Sequence, residues 1–397
     1  MGIEVRAPTD EEWPAVCRVD GRAFGHHYSA QDIEDQRPVH DMSRFRIALD
    51  GTDIVSVAGS YALDVTLPGG ASVPMGGVTW VSTAATHRRQ GLMRRTVEAV
   101  HDDIDARGEP VASLYASEGS IYEHLGYGIA TVWNTVSIDR ASAHVRPEFV
   151  VPSGSVRYIE GDEVVPILGD LWERFRRQRA GECARTDLFQ QFIFDRREKE
   201  QDGHTPAHYL HHRDGYACYR IEPNWTDDGP AHTLHLNELV AVSPEADAAL
   251  WQALLGVDLV ATIKTRVLPI DTTVRSLFEN PRVVKLTQAR DGVWVNVRDI
   301  QIAFGARTYR TTDAFVVEVD RRRWGISGGP DGASVRAVRT RADLVTTHPA
   351  LSSLLYGGTL PSALVAGKRM TARSTEVLDR ADMFFPTTVA PHCQSFY

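Results

Sequence analysis

Val78-Thr79-Trp80-Val81-Ser82-Thr83 runs directly into Ala84-Ala85-Thr86-His87-Arg88-Arg89-Gln90-Gly91-Leu92-Met93-Arg94. The first part, with Gly77 ahead of it, reads as a strand over Gly77–Thr83. From Gly91 to Arg107 the pattern is helical: Leu92, Thr96, Val100 and Ile104 recur every four residues, with Met93 and Val97 on the same face. A basic, glycine-bearing turn therefore joins a strand to a helix start. The first N–H groups of a helix lack intrahelical partners and lie at the positive end of its dipole, so they suit an anion. Gly91 permits close approach of the backbone, and Arg88 and Arg89 add charge suited to phosphates. A solvated basic helix cap carries the same residues, and the motif alone leaves both readings open.

On the N-terminal side, Ile3–Ala7 reads as a strand, and Thr9 to Glu12 as a capping box that starts a helix carrying Trp13, Val16, Cys17 and Phe24. Arg44–Leu49 and Ile54–Leu67 read as strands joined at Asp50-Gly51, with a further turn at Pro68-Gly69-Gly70. On the C-terminal side, Gly108 closes the helix. Val111–Ala116 is a short buried strand, Ser117–Leu125 a short helix ended by Gly126, and Thr131–Asp139 a last strand.

After a composition shift at 147–152 the outline repeats. Arg157–Gly161 reads as a strand, Val164–Arg179 as a helix, then His208–Leu210, Tyr216–Ile221 and His232–Val242 as strands and Pro244–Leu255 as a helix. The strand-to-helix turn of this second copy holds Ser243-Pro244-Glu245-Ala246-Asp247, whose acids would repel a pyrophosphate. The copy is expected to be degenerate. From about Asp291 a third region has strands at Trp294–Val297, Ala314–Val319, Arg323–Ile326 and Val335–Thr340. Helical patterns follow at Ala342–His348, Ala350–Leu355 and Ser374–Phe384, with a helix or turn at Leu360–Ala366. Met383 to Pro386 and the final Phe396-Tyr397 are too apolar for a free tail, so a buried terminus is expected.

With 397 residues the chain has room for two to four domains. Hydrophobic residues at 43% and charged residues at 24% are ordinary for a soluble globular protein. No segment reads as a membrane span or a signal peptide, which points to a cytoplasmic protein without a membrane partner. The net charge of −9 speaks against non-specific nucleic-acid binding and would favour cationic substrates, although solubility explains it equally well. Four scattered cysteines without CxxC spacing fit neither a zinc knuckle nor a disulfide framework.

The specific signal is the combination of "THRRQGLMRR", then "ASEGSIYEHLGYG", then an aromatic last residue, together with the opening "APTDEEWPAV". In these features the sequence resembles the Eis (enhanced intracellular survival) acetyltransferases of the GNAT superfamily, strongly over 78–128 and more weakly beyond 150. The resemblance implies an α/β (α+β) fold of two tandem GNAT-like domains followed by a sterol-carrier-protein-like domain, here 1–146, 147–290 and 291–397. It implies an acetyl-CoA-dependent N-acetyltransferase that acts on amines of aminoglycosides, polyamines or lysine side chains, and a homo-oligomer, commonly a hexamer. Carried over, the backbones of Val81 and Thr83 would hold the pantetheine arm. Arg88, Arg89, Gly91 and Leu92 would hold the pyrophosphate, with Ser117 beside the donor. Tyr122 would be the general acid and the C-terminal carboxylate of Tyr397 the base. Phe24, His26, Trp80 and Phe396 would line the amine's pocket. His26 and Phe396 stand where the family often has acids, and Trp80 replaces a smaller aromatic, so the pocket is expected to be narrower and less anionic.

Three other features bear on function. Tyr122 on its residue type alone is equally a packed core tyrosine. His204, His208, His211 and His212 cluster, but they alternate as in a strand and no carboxylate or cysteine has ligand spacing, so no metal is expected. His392 and Cys393 are adjacent, a geometry that suits packing better than nucleophilic catalysis. The alternatives to amine acetylation are an inactive protein that carries an apolar ligand, and the same transfer from a different acyl-CoA.

Overall fold

In the computed structural model the chain is described over residues 2–149, 151–152, 154–199 and 203–397. It divides into two compact bodies: residues 1–130 with 292–388 and 395–397, and residues 131–291 with 389–394.

The first body opens with β1 (Glu4–Arg6), α1 (Trp13–Phe24), α2 (Ala30–Gln36), β2 (Arg46–Asp50), β3 (Asp53–Thr66) and β4 (Ser72–Thr83). It continues with α3 (Leu92–Ala106), β5 (Val111–Tyr115), α4 (Gly119–Tyr122) and β6 (Gly128–Ile129). The capping box is present, with the Thr9 N–H donating to Glu12 at 2.8 Å. β4 begins five residues before the Gly77 expected from sequence, because Ser72 to Gly76 continue the ladder with β3. One face of the sheet takes α3 through Val97, Val100 and Ile104, all fully buried with Ala112 and Leu114. At roughly 1.5–3 kcal/mol per buried aliphatic side chain, this stripe fixes the helix on the sheet. The other face takes α1 through Trp13, Val16 and Cys17, packed with Phe45, Ile47 and Val57.

The second body comprises β7 (Val132–Asp139), β8 (Arg157–Ile159), α5 (Val164–Arg176), α6 (Asp187–Lys199), β9 (His208–His212) and β10 (Gly215–Glu222). A small hairpin, β11 (Trp225–Thr226) and β12 (Gly229–Pro230), precedes β13 (His232–Ala241), α7 (Pro244–Leu255), β14 (Val260–Pro269) and β15 (Val284–Asp291). Its seven-stranded sheet runs β15-β7-β14-β13-β10-β9-β8. The strand at 132–139, expected to close the first domain at residue 146, therefore pairs in the second sheet, with β14 and β15. α6, β14 and β15 had no counterpart in the sequence reading.

The remaining elements belong to the first body: β16 (Val293–Val297), α8 (Ile300–Ala306), β17 (Asp313–Val319), β18 (Arg322–Gly329), β19 (Gly332–Ala337), β20 (Leu344–Thr346), α9 (His348–Ser353), α10 (Pro361–Ala366), β21 (Met370–Ala372) and α11 (Thr375–Phe384). β16 inserts between β5 and β6, giving the first sheet the order β1-β2-β3-β4-β5-β16-β6. A separate five-stranded sheet runs β19-β18-β17-β20-β21. Helix was expected over 342–348; instead Leu344 to Thr346 form a strand parallel to β17, as suits the β-branched Val345 and Thr346. The described residues thus form two seven-stranded sheets and a five-stranded one with helices packed against them, a mixed α/β fold as expected.

Candidate active site

The site is built where two parallel strands part. β4 and β5 pair only at Met75–Val111, Gly76–Ala112 and Gly77–Ser113, yet β4 continues to Thr83 and β5 to Tyr115. Beyond that point Val78 to Thr83 have no ladder partner on the β5 side among the described residues, so their edge can receive an extended ligand. A bulge opens the fork. Between Val57–Ser82 and Gly59–Thr79 the register with β3 slips by one residue, and Trp80 takes φ +54. That left-handed conformation is unfavourable for a tryptophan. Ring packing compensates: the Trp80 indole lies 5.0 Å from Trp13, 5.0 Å from His40 and stacked at 5.7 Å on Tyr28.

At the wide end of the fork stands the start of α3. Arg89 (φ +63) and Gly91 (φ +75) both have positive φ, the backbone form that gathers N–H groups around an anion. No side chain caps this helix. A Cβ at Gly91 would meet nothing within 4 Å, so the glycine serves the backbone conformation and an open approach, not packing. Arg88 and Arg89 are exposed, and Arg88 pairs with Glu118 at 3.7 Å across solvent. Such exposed pairs contribute little, and this one leaves Arg88 able to turn to a phosphate. The Leu92 side chain is buried against Ala48 and Val55, so only its backbone is left to face the turn. Thr83 engages Ser56 through their hydroxyls at 2.8 Å, which explains a polar residue on that strand.

On the α3 face of the fork, α4 delivers Tyr122, buried among Val78, Leu114 and Trp294 and edge-on to Tyr127 at 6.0 Å. Burial raises its pKa above the usual phenol value, and the nearby Ser117 offsets this only in part. The phenol thus stays protonated at neutral pH and can donate. Ser117 and Tyr122, joined by resemblance only, are brought together.

The other face receives the chain's last residue. The Tyr397 hydroxyl pairs with Ser113 at 2.7 Å, and its ring packs 5.4 Å from Tyr115. A Cβ on Gly77 would sit 2.9 Å from that ring and 2.6 Å from Leu63, so glycine is required there. A Cβ on Gly76 would instead strike Ile104 of α3, which shows that the two glycines face opposite sides. Tyr115 donates to the Ser395 carbonyl at 2.7 Å, and Phe396 stacks on Tyr115 at 4.9 Å while staying exposed. Tyr122 and Tyr397 therefore approach the fork from opposite faces of the sheet. The consecutive glycines inside β4 were the sequence signal for this close approach. Ser113 and Tyr115 gave no local signal.

Trp80 and His26 belong to one aromatic cluster, since His26 packs edge-on to Tyr28 at 4.6 Å. Phe24 ends α1 with an exposed ring. Two titratable groups in this cluster were missed. His40 donates from Nδ1 to the Gln36 carbonyl at 2.6 Å and accepts from the Tyr61 hydroxyl at 2.7 Å, so it is neutral, and burial lowers its pKa to about 4. Asp20 accepts from Tyr28 at 3.1 Å, leaves its second oxygen buried without a partner, and is raised to about 6 by burial.

Acetyltransferase (GNAT) domain families match residues 4–130 and 181–298, and a sterol carrier protein domain family matches 301–394. An uncharacterized N-acetyltransferase of Streptomyces avermitilis is 32% identical over 98% of both chains. The N-acetyltransferase Eis of Mycobacterium tuberculosis is 29% identical, also over 98% of both. The chain belongs to the Eis family of GNAT acetyltransferases. Among solved structures, Eis1 from Mycobacterium abscessus aligns with a TM-score of 0.89 at 29% identity, covering 99% of this chain and all of that one. A GCN5-related N-acetyltransferase from Anabaena variabilis shares the fold at 16% identity and a TM-score of 0.85. Like other GNAT acetyltransferases, this Eis-family enzyme takes acetyl-CoA as its donor. No described helix is long and apolar enough to cross a membrane.

Proposed function

We propose that the enzyme acetylates primary amines of a cationic substrate, an aminoglycoside, a polyamine or a lysine side chain, by direct attack in the β4–β5 fork. The carrying observation is that strands parted beyond Gly77–Ser113 lie below an uncapped, basic helix start and between two tyrosines on opposite faces. In this reading Arg88, Arg89 and the N–H groups at Gly91 and Leu92 hold the pyrophosphate, and the backbones of Val81 and Thr83 hold the pantetheine amides.

The amine approaches from the α1 face, between the Trp80 cluster and the terminal residues. The Tyr397 carboxylate, fixed by its anchored ring, takes or relays the ammonium proton. An α-carboxyl near 3.5 in water is a weak base toward an amine near 10.4, so orientation of the amine contributes more than basicity. A backbone N–H of the parted strand, that of Val81, stabilises the charge developing on the carbonyl oxygen. Tyr122 donates to the departing sulfur. Aromatic walls at Trp80, Tyr28 and Phe396 suit a cation by its attraction to ring faces, in place of the acids the family often carries.

The test is thiol release from acetyl-CoA across a panel of aminoglycosides, polyamines and lysine peptides. Turnover with at least one amine class supports the reading; hydrolysis alone would overturn it. A hexameric, cytoplasmic enzyme is part of the same proposal and is checked by sedimentation and by fractionation.

A further inference from the structure

The second body brings together residues that lie far apart in sequence. Among the described residues, His204, Glu222 and His235 each offer one ligand atom, and the three atoms lie within 4.8 Å of one another. Of the four clustered histidines noted in sequence, only His204 takes part. Its partners come from the ends of neighbouring strands. Arg220 is paired with His235 and Glu222 with Thr233, so Glu222 and His235 stand diagonally on one face of the β10–β13 ladder. His235 Nε2–H donates to Glu222 Oε2 at 2.8 Å. The His204 ring meets the His235 ring at 4.7 Å and 77°. The segment is pinned one residue on: the Thr205 N–H donates to the Ile221 carbonyl at 2.8 Å, and the Ile221 N–H to Thr205 Oγ1 at 3.0 Å.

We infer that His204, Glu222 and His235 form a binding site for a divalent transition metal of the zinc class. Two imidazoles and one carboxylate are a ligand set for such an ion, and three protein ligands leave a fourth position for water. Tetrahedral bonds of about 2.0–2.2 Å place ligand atoms about 3.4 Å apart, so side-chain shifts of about 1 Å close the site. The imidazoles favour zinc over magnesium or calcium, which prefer all-oxygen shells. Lys264, in register with His235 on β14, acts against the cation and keeps the affinity moderate.

The test is calorimetric titration of Zn²⁺ into the full, untagged chain after chelator treatment, with Mg²⁺ in parallel. The expected result is one Zn²⁺ per chain at micromolar Kd and no Mg²⁺ binding. His235→Ala and Glu222→Gln should each weaken it at least tenfold, while His211→Ala leaves it unchanged. Circular dichroism and melting of each variant confirm folding, and Glu222→Gln preserves shape where the alanine variant fails. Absence of Zn²⁺ binding up to about 1 mM, or a site that survives both ligand substitutions, would overturn the assignment and leave Glu222 and His235 as a simple ion pair.

Discussion

The two GNAT domains run the same strands to opposite ends. In the first, β4 and β5 part beyond Gly77–Ser113 and the helix start above them is left uncapped at Gly91. In the second, the parallel pair β13–β14 runs from His232–Val260 to Leu236–Thr265 with one register slip after His232, while β13 runs on to Ala241. There the gap is filled by the protein itself. The Gln394 side-chain amide donates to the Leu239 carbonyl at 3.0 Å and accepts from the Leu239 N–H at 3.3 Å, the pair of bonds a pantetheine amide would make with an open strand edge. Glu238 is buried against Arg185 at 2.6 Å and accepts from the Tyr216 hydroxyl at 3.0 Å. Above this edge, Ser243 accepts from the Ala246 N–H, and Glu245 and Asp247 occupy the first turn of α7. A helix start already capped and acidic has little to offer a pyrophosphate. The two forks thus share a strand arrangement and differ in what the chain leaves unsatisfied.

The largest effect should come from the residues that make the first fork unlike the second. Extending the chain by one glycine after Tyr397 keeps the ring but moves the carboxylate; kcat should fall about 10³-fold while acetyl-CoA affinity changes little. Unchanged turnover would remove the carboxylate from the mechanism. In the second fork, Arg185→Ala removes the guanidinium that pairs with the buried Glu238 carboxylate and should cost about 3–5 kcal/mol in denaturant unfolding, a structural loss. A loss under 1 kcal/mol would show that the filled fork is not a stabilising feature.

Tyr122→Phe should fold normally and lower kcat about 10²-fold, the usual range for a lost general acid; full activity would clear Tyr122. Arg88→Ala with Arg89→Ala should raise KM for acetyl-CoA about tenfold with a smaller change in kcat, since phosphate contacts act in ground and transition states alike. The smallest effect concerns pH. Burial lifts Asp20 from 3.8 to about 6, so between those values the native state keeps a proton that the unfolded chain has lost. Stability contributed by this group is therefore full below pH 4 and lost as pH rises through 6. Asp20→Asn should be more stable than the parent above pH 6, by at most about 3 kcal/mol, and equal to it below pH 4.

Much of this was legible because it is local. The turn at residues 84–94 carries its meaning in consecutive residues, and α3 has a clear four-residue repeat. What failed was long-range. β15 alternates weakly and is almost wholly exposed along one edge, so no apolar face announced it. β7 looks like the end of the first domain until its partners β14 and β15 are known. The Tyr397 ring finds Ser113 across 284 positions, and Gln394 finds Leu239 across 155. His204 looked unaccompanied because Glu222 and His235 sit on β10 and β13, far along the sequence.

If one fork receives the donor and the other is closed by its own chain, calorimetric titration of acetyl-CoA into the full chain will count a single site. One molecule bound per chain, abolished by Gly91→Val and retained in Gln394→Ala, is the predicted result. Two molecules per chain, or a single one that survives Gly91→Val, would contradict it.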